Sequence, residues 1–166
     1  MKLFLIGMPG SGKSTAAREI ARLKHISFYD TDELIQKKYK MSIPDIFKEF
    51  GEKEFRKYEE TILNELIIKE NFIAATGGGL PCFKNNMNKM NDTGITIYLK
   101  TSIEILLKRL RKSYSRPLFQ GKSDSELFDY LQKTTNSREP YYSQANYIID
   151  ADKELNEIIK SEPFNL

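Results

Sequence analysis

A glycine, four residues and then Gly-Lys-Ser (Gly7-Met8-Pro9-Gly10-Ser11-Gly12-Lys13-Ser14) follow at once on the apolar run Leu3 to Ile6 and lead into a segment of helical period from Lys13 to Leu23. No other feature restricts the fold of this chain so sharply. Strand, glycine loop and helix in that order make a phosphate cradle. Glycines let backbone N–H groups wrap the β- and γ-phosphates, Lys13 brings a point charge, the Ser14 hydroxyl can ligate Mg²⁺, and the helix presents the positive end of its dipole. Gly10, Ser11, Gly12, Lys13, Ser14 and Thr15 are therefore the candidate nucleotide-binding residues. A glycine-rich turn that matches by accident is the competing reading, and the strand-then-helix context argues against it.

Four more short apolar runs, Ile26 to Tyr29, Phe72 to Ala75, Ile95 to Leu99 and Tyr147 to Ile149, read as strands. The chain has no valine, so isoleucine supplies the β-branched character, and runs that are continuous rather than alternating suit strands covered on both faces. Helical period occupies Asp32 to Tyr39, a pair of segments across Ile43 to Glu70, Ile103 to Arg111, Ser125 to Arg138, and Lys153 to Ile159. Thr31 before Asp32 and Glu33, and Ser42 with Asp45 three residues on, read as helix starts. The alternation predicts an α/β fold in three layers, a mostly parallel sheet between helices, with ligands at the carboxyl ends of the strands. With 166 residues and no linker-like stretch, one domain over 1–166 is expected. Residues 113–123 lack helical period and are expected to form a mobile surface loop.

The third strand ends in Ala74-Ala75-Thr76-Gly77 without an aspartate, and no guanine-reading motif follows. GTPases and motor-like ATPases are thereby disfavoured. The acids nearest the cradle are Asp30 and Asp32 at the end of the second strand. Asp30 is the candidate partner of Ser14 in holding Mg²⁺, and Asp32 the candidate that orients an acceptor hydroxyl or takes its proton. For Asp32, an ordinary acid favoured by a helix start is the plainer alternative.

A net charge of +3 suits an anionic small molecule and falls short of a nucleic-acid footprint. The acid-free basic stretch Lys108, Arg109, Arg111, Lys112, Arg116 and Lys122 reads mostly as a solvated helix end and loop. Cys82 is the sole cysteine, which excludes an internal disulfide and makes the cytoplasm the expected compartment. No run approaches the roughly 20 apolar residues of a membrane span, and Met1 to Ile6 meets Gly7 too early for a secretory signal. A monomer without membrane or nucleic-acid partners is expected. His25, away from every motif, reads as a surface residue, and Cys82 as packing.

Read together, the cradle, Asp30-Thr31-Asp32, Gly51-Glu52-x-x-Phe55-Arg56-x-x-Glu59, Gly77-Gly78-Gly79, Arg116-Pro117-Leu118 and Arg138-x-x-Tyr141 resemble the shikimate kinase family over nearly the whole chain. The resemblance implies a P-loop kinase fold with strand order 2-3-1-4-5 and a mobile lid. It implies transfer of the ATP γ-phosphate to the 3-hydroxyl of shikimate, in the route to aromatic amino acids. It assigns Arg56 and Arg138 to the shikimate carboxylate, with Glu59 steering Arg56, and Asp32, Gly77, Gly78 and Gly79 to the rest of the acceptor. Lys13, Asp32 and Arg116 become the catalytic set, ATP and Mg²⁺ the cofactors, and Arg109 the residue stacked on adenine, with Arg111 close enough to confuse the register. The acceptor segment is about 31–60 and the lid about 112–124. Phe47 and Phe55 either cover the acceptor ring or pack in the core. Leu80-Pro81-Cys82 departs from the small residues the family places there. The rival readings are a related kinase such as gluconate kinase, against which Arg56, Arg138 and the triple glycine count, and a nucleotide-dependent binding module without chemistry.

Overall fold

The computed structural model describes residues 1–112 and 123–164. The lid sequence around Arg116 lies outside the described residues. Five strands, β1 (Lys2–Ile6), β2 (Ser27–Asp30), β3 (Phe72–Ala75), β4 (Ile95–Lys100) and β5 (Tyr147–Asp150), pair in parallel in the order β2-β3-β1-β4-β5. The helices are α1 (Lys13–Lys24), α2 (Thr31–Tyr39), α3 (Ile43–Ile67), α4 (Asn86–Thr93), α5 (Ile103–Arg111), α6 (Asp124–Tyr142) and α7 (Leu155–Lys160), with a 3₁₀ turn at Leu80–Cys82.

The continuous apolar runs have the expected cause. In β1, Leu3 and Leu5 face the layer of α1 and α7, where Ala16, Ala17, Ile20, Ile158 and Ile159 are buried. Phe4 and Ile6 face the opposite layer, against Ile62, Leu66, Met87, Leu106, Leu131 and Tyr142 from α3 to α6. Both faces of the central strand are thus dry, and each fully buried Leu, Ile or Phe side chain contributes about 1.5–3 kcal/mol.

Helix starts differ in detail from their sequence signals. Asp30, not Thr31, caps α2: its Oδ1 accepts from the N–H groups of Asp32 (3.0 Å) and Glu33 (3.4 Å), and a carboxylate one residue earlier meets the free donors better. Ser42 caps α3 through the Asp45 N–H (3.2 Å), while its hydroxyl donates to the Asp45 carboxylate (2.5 Å). The expected pair across 43–70 is present: two helical segments, given together as α3, meet at a kink at Gly51, whose φ of 76° is a left-handed conformation. Among the described residues no helix is long and apolar enough to cross a membrane.

Candidate active site

The carboxyl ends of β1, β3 and the edge strand β2 meet at one side of the sheet. From β1, the cradle runs into α1, whose N-cap Gly12 has a φ of 94° and whose first turn carries no acid. That leaves its first N–H groups and its dipole for an anion. A Cβ on Gly12 would meet nothing nearer than Arg109 Nη1 at 3.9 Å, so the backbone conformation, rather than crowding, demands glycine here. The Lys13 ammonium, largely buried, donates to the carbonyls of Gly7 (3.0 Å) and Met8 (2.8 Å). A cleft of about 400 Å³ beside it is lined by Gly10 to Thr15, Arg109, Lys153 and, at the start of α7, Leu155.

Arg109 spans the mouth of this cleft, donating to the Ala151 carbonyl (3.0 Å) and the Ser11 carbonyl (3.4 Å). Arg111 pairs instead with Asp124 at 2.7 Å. Of the two arginines, Arg109 is the one that lines this cleft.

From β2, Asp30 turns its second oxygen, Oδ2, to the Ser14 hydroxyl, which donates to it at 2.6 Å. Sequence distance had separated these two oxygens; the parallel sheet brings them together beside Lys13. From β3 comes the triple glycine, and its neighbours explain each glycine in turn. A Cβ on Gly77 would lie 2.7 Å from both Asp32 Oδ1 and Glu59 Oε1. On Gly78 it would lie 2.8 Å from Arg138 Nη1, 3.0 Å from Pro9 Cδ and 3.4 Å from the Gly7 carbonyl. On Gly79 it would run into the Arg56 guanidinium. Two carboxylates, two guanidiniums and the phosphate loop thus converge on three consecutive residues, where a Cβ would force the charged side-chain ends out of their present positions.

Arg56 is pinned from its own helix: Nη1 donates to Glu59 at 2.6 Å and Nη2 to Glu52 at 2.8 Å. Arg138 reaches in from α6, with Met8 Sδ 4.0 Å away. Phe55 is buried and packs on Phe47 with ring centroids 4.6 Å apart, which favours the core reading for Phe55. Cys82 sits in this wall, and burial pushes its thiol up to about 11 despite Arg138 and Arg56, so it is inert packing at neutral pH. His25 is an exposed residue in left-handed conformation closing α1.

A family model described as shikimate kinase matches residues 9–162. The chain belongs to the shikimate kinase family. The shikimate kinase of Parabacteroides distasonis is 41% identical over 157 residues, covering 94% of this chain and 91% of its own. Among solved structures, the shikimate kinase of Bacteroides thetaiotaomicron superposes with a TM-score of 0.94 at 37% identity, covering 96% of this chain and 94% of the other. That of Acinetobacter baumannii, solved in complex with shikimate, gives 0.87 at 32% identity, with 96% and 90% covered.

Two features of the site add to the residues assigned from the sequence. Glu52, four residues before Arg56, is its second anchor, a pairing readable from the i,i+4 order of acid before base. Glu59 is 1% exposed, and burial, reinforced by Asp32 and only partly offset by Arg56 and Arg138, raises its pKa to about 7. Burial works against the charge on Arg56, but Glu59 and Glu52 more than reverse that, and its pKa lies above the ordinary value. The raised carboxyl has a stability consequence. Between its unfolded value near 4.5 and about 7, native Glu59 holds a proton that the unfolded chain has released. Stability from this group is therefore full below about 4.5 and falls as pH rises through 7, by an amount on the order of 3 kcal/mol. Glu59→Gln is expected to flatten this limb of a melting-temperature profile taken from pH 5 to 8 without ligands. Parallel profiles for the two proteins would show that Glu59 titrates as an ordinary carboxyl.

Proposed function

We propose that the protein transfers the γ-phosphoryl group of ATP to the 3-hydroxyl of shikimate, giving shikimate 3-phosphate and ADP. The observation that carries this reading is Gly78, where an added Cβ would lie 2.8 Å from the Arg138 guanidinium and 3.0 and 3.4 Å from Pro9 and the Gly7 carbonyl of the phosphate loop. A carboxylate held by Arg138 and Arg56 leaves its molecule a few ångströms from the terminal phosphate on the cradle. Two planar cations recognise a carboxylate by paired, oriented hydrogen bonds that lysines do not reproduce.

In this reading the acceptor segment is 31–60 together with the glycine run. Asp32, beside Gly77, orients the acceptor hydroxyl and receives its proton as the new O–P bond forms and the bond to ADP breaks. Lys13 neutralises charge on the transferring group. Arg116, outside the described residues, is the second cation assigned to it by family resemblance. Ser14 and Asp30 offer two hard oxygens, and among the described residues no cluster of three or more acidic, His or Cys ligands forms a cage. Such a set fits Mg²⁺, which keeps most of its shell as water and phosphate oxygen; bound there, it would offset charge on the β- and γ-phosphates. Arg109 and the start of α7 take the base. A reducing, cytoplasmic setting for a monomer accords with the unpaired thiol of Cys82.

The test is acceptor choice. With ATP, Mg²⁺ and separate incubations with shikimate, quinate and gluconate, phosphate transfer to shikimate is expected to exceed transfer to either rival by at least about a hundredfold in kcat/KM, because a site built for one set of hydroxyls leaves polar groups unpaired with another. Preference for gluconate would replace the assignment with its closest enzymatic rival. ATP binding without transfer to any acceptor would point to a binding module.

A further inference from the structure

Two buried hydroxyls hold the triple glycine in place, and neither has a role in the reaction as described. The Gly77 N–H donates to Thr31 Oγ1 at 2.7 Å, and Thr31 is fully buried. One residue on, the Tyr142 hydroxyl donates to the Gly78 carbonyl at 2.5 Å. Tyr142 is itself fully buried, with its ring 5.0 Å from that of Tyr98. Burial raises its pKa well above the usual tyrosine value, against the opposing charge and side-chain hydrogen bonding of Arg138 and the charge of Arg56, so it stays a donor at every working pH.

Its place on α6 gives this bond a consequence. Tyr142 follows Arg138 by four residues and shares its helix face. The same turn of helix therefore delivers the guanidinium to Gly78 and grips the Gly78 carbonyl. Because the peptide unit is planar and trans, fixing that carbonyl toward α6 turns the Gly79 N–H away from α6 and sets the plane of the 78–79 peptide. Glycine offers no side-chain contact of its own to hold that plane and no steric bias against rotating it. Without the hydroxyl, the run beside Arg138 and Arg56 loses the bond that fixes the Gly78 carbonyl.

We propose that Tyr142 is a positioning residue: without touching the acceptor, it sets the separation and orientation of the glycine run relative to Arg138, and so governs how tightly an acidic acceptor is held. This rests on the acceptor reading given above. It predicts an effect on one substrate only, since the nucleotide cleft on the far side of the cradle shares no residue with the Tyr142 contact.

Tyr142→Phe removes one oxygen and keeps the ring. Tyr98→Phe is the matched control. It also deletes a hydroxyl bonded to this part of the molecule, Tyr98 Oη donating to Glu139 at 2.8 Å, but Lys100 still holds Glu139 at 2.8 Å and the glycine run is not involved. Both variants are expected to lower the melting temperature. Only Tyr142→Phe is expected to raise the KM for shikimate, by about tenfold, with the KM for ATP unchanged and kcat within about threefold. An unchanged shikimate KM in Tyr142→Phe overturns the proposal, and so does an equal rise in Tyr98→Phe, which would mean a general loosening of α6. Wild-type protein that fails to phosphorylate shikimate overturns the acceptor reading instead, a result obtained before either variant is assayed.

Discussion

Lys13→Ala is expected to lower kcat by about a thousandfold while leaving the protein folded. The lysine is not a surface charge that solvent could replace. The residue is 8% exposed, and its ammonium is aimed into the loop by the carbonyls of Gly7 and Met8. A group fixed this way needs little rearrangement when negative charge moves across the bridging oxygen during transfer, and removing one such preorganised donor typically costs about a hundred- to a thousandfold in rate. Phosphoryl transfer leans on this term heavily, since its loose transition state gives the protein little covalent chemistry to perform. Lys13→Met separates charge from packing: the aliphatic stem remains, the two carbonyls lose the same donor, and the rate loss is expected to match that of alanine. The measurement is ADP release at saturating shikimate and ATP, with melting temperature as the folding control. A kcat within tenfold of wild type in either variant would remove Lys13 from the catalytic set and return the loop to a mere binding element.

How much of this was legible in the sequence depends on how local each feature is. The cradle and β1 are contiguous, and their physical demands, glycines for backbone approach and a dry strand before them, are written in adjacent residues. The inner strands could be found because covering both faces makes nearly every position apolar, as in β1 and β3. α4 could not: Asn86, Asn88 and Asn91 are poor helix formers, and the helix exists because Met87 and Met90 are buried against the sheet, a tertiary fact. α6 begins at a readable Ser123-Glu126 capping box, yet it continues to Tyr142, past Arg138 and through Pro140, because Leu131 and Tyr142 are anchored in the core. Tyrosines scattered in sequence likewise pair in space, as Tyr39 does with Tyr58 at 3.8 Å between ring centroids.

The site divides along the same line. Arg56 with Glu59 is a helix-surface pair, readable from a spacing of three. Asp30 with Ser14 could be anticipated from the acids at the end of the second strand, although β2 and β1 are separated in the sheet by β3. The meeting of Arg56 and Arg138 across Gly77 to Gly79 has no local signature, since α3 and α6 are far apart in the chain; only resemblance to a family anticipated it. Tyr142 had no signature at all, being one more apolar residue at the end of an amphipathic helix until its hydroxyl is seen on Gly78.

Removing Arg138 tests that convergence most severely. Arg138→Ala is expected to raise the KM for shikimate by about a hundredfold or more, in the range for truncating one partner of a hydrogen-bonded charge pair, about 2–5 kcal/mol, with the KM for ATP little changed. Arg138 is the better choice than Arg56, because Arg56 neutralises Glu59, which is 1% exposed, and its loss would leave that acid buried beside Asp32 with only the more distant Arg138 to offset it. Arg138→Lys restores charge without the planar fork and is expected to recover only part of the affinity. The chemical complement is the methyl ester of shikimate, which keeps the ring and hydroxyls but carries no anion. Wild type is expected to discriminate strongly against the ester, and Arg138→Ala much less, since the penalty of losing the carboxylate and that of losing its cation are the same interaction counted once. Full additivity of the two losses would place the carboxylate elsewhere, and the acceptor would then have to bind in another orientation against the glycine run.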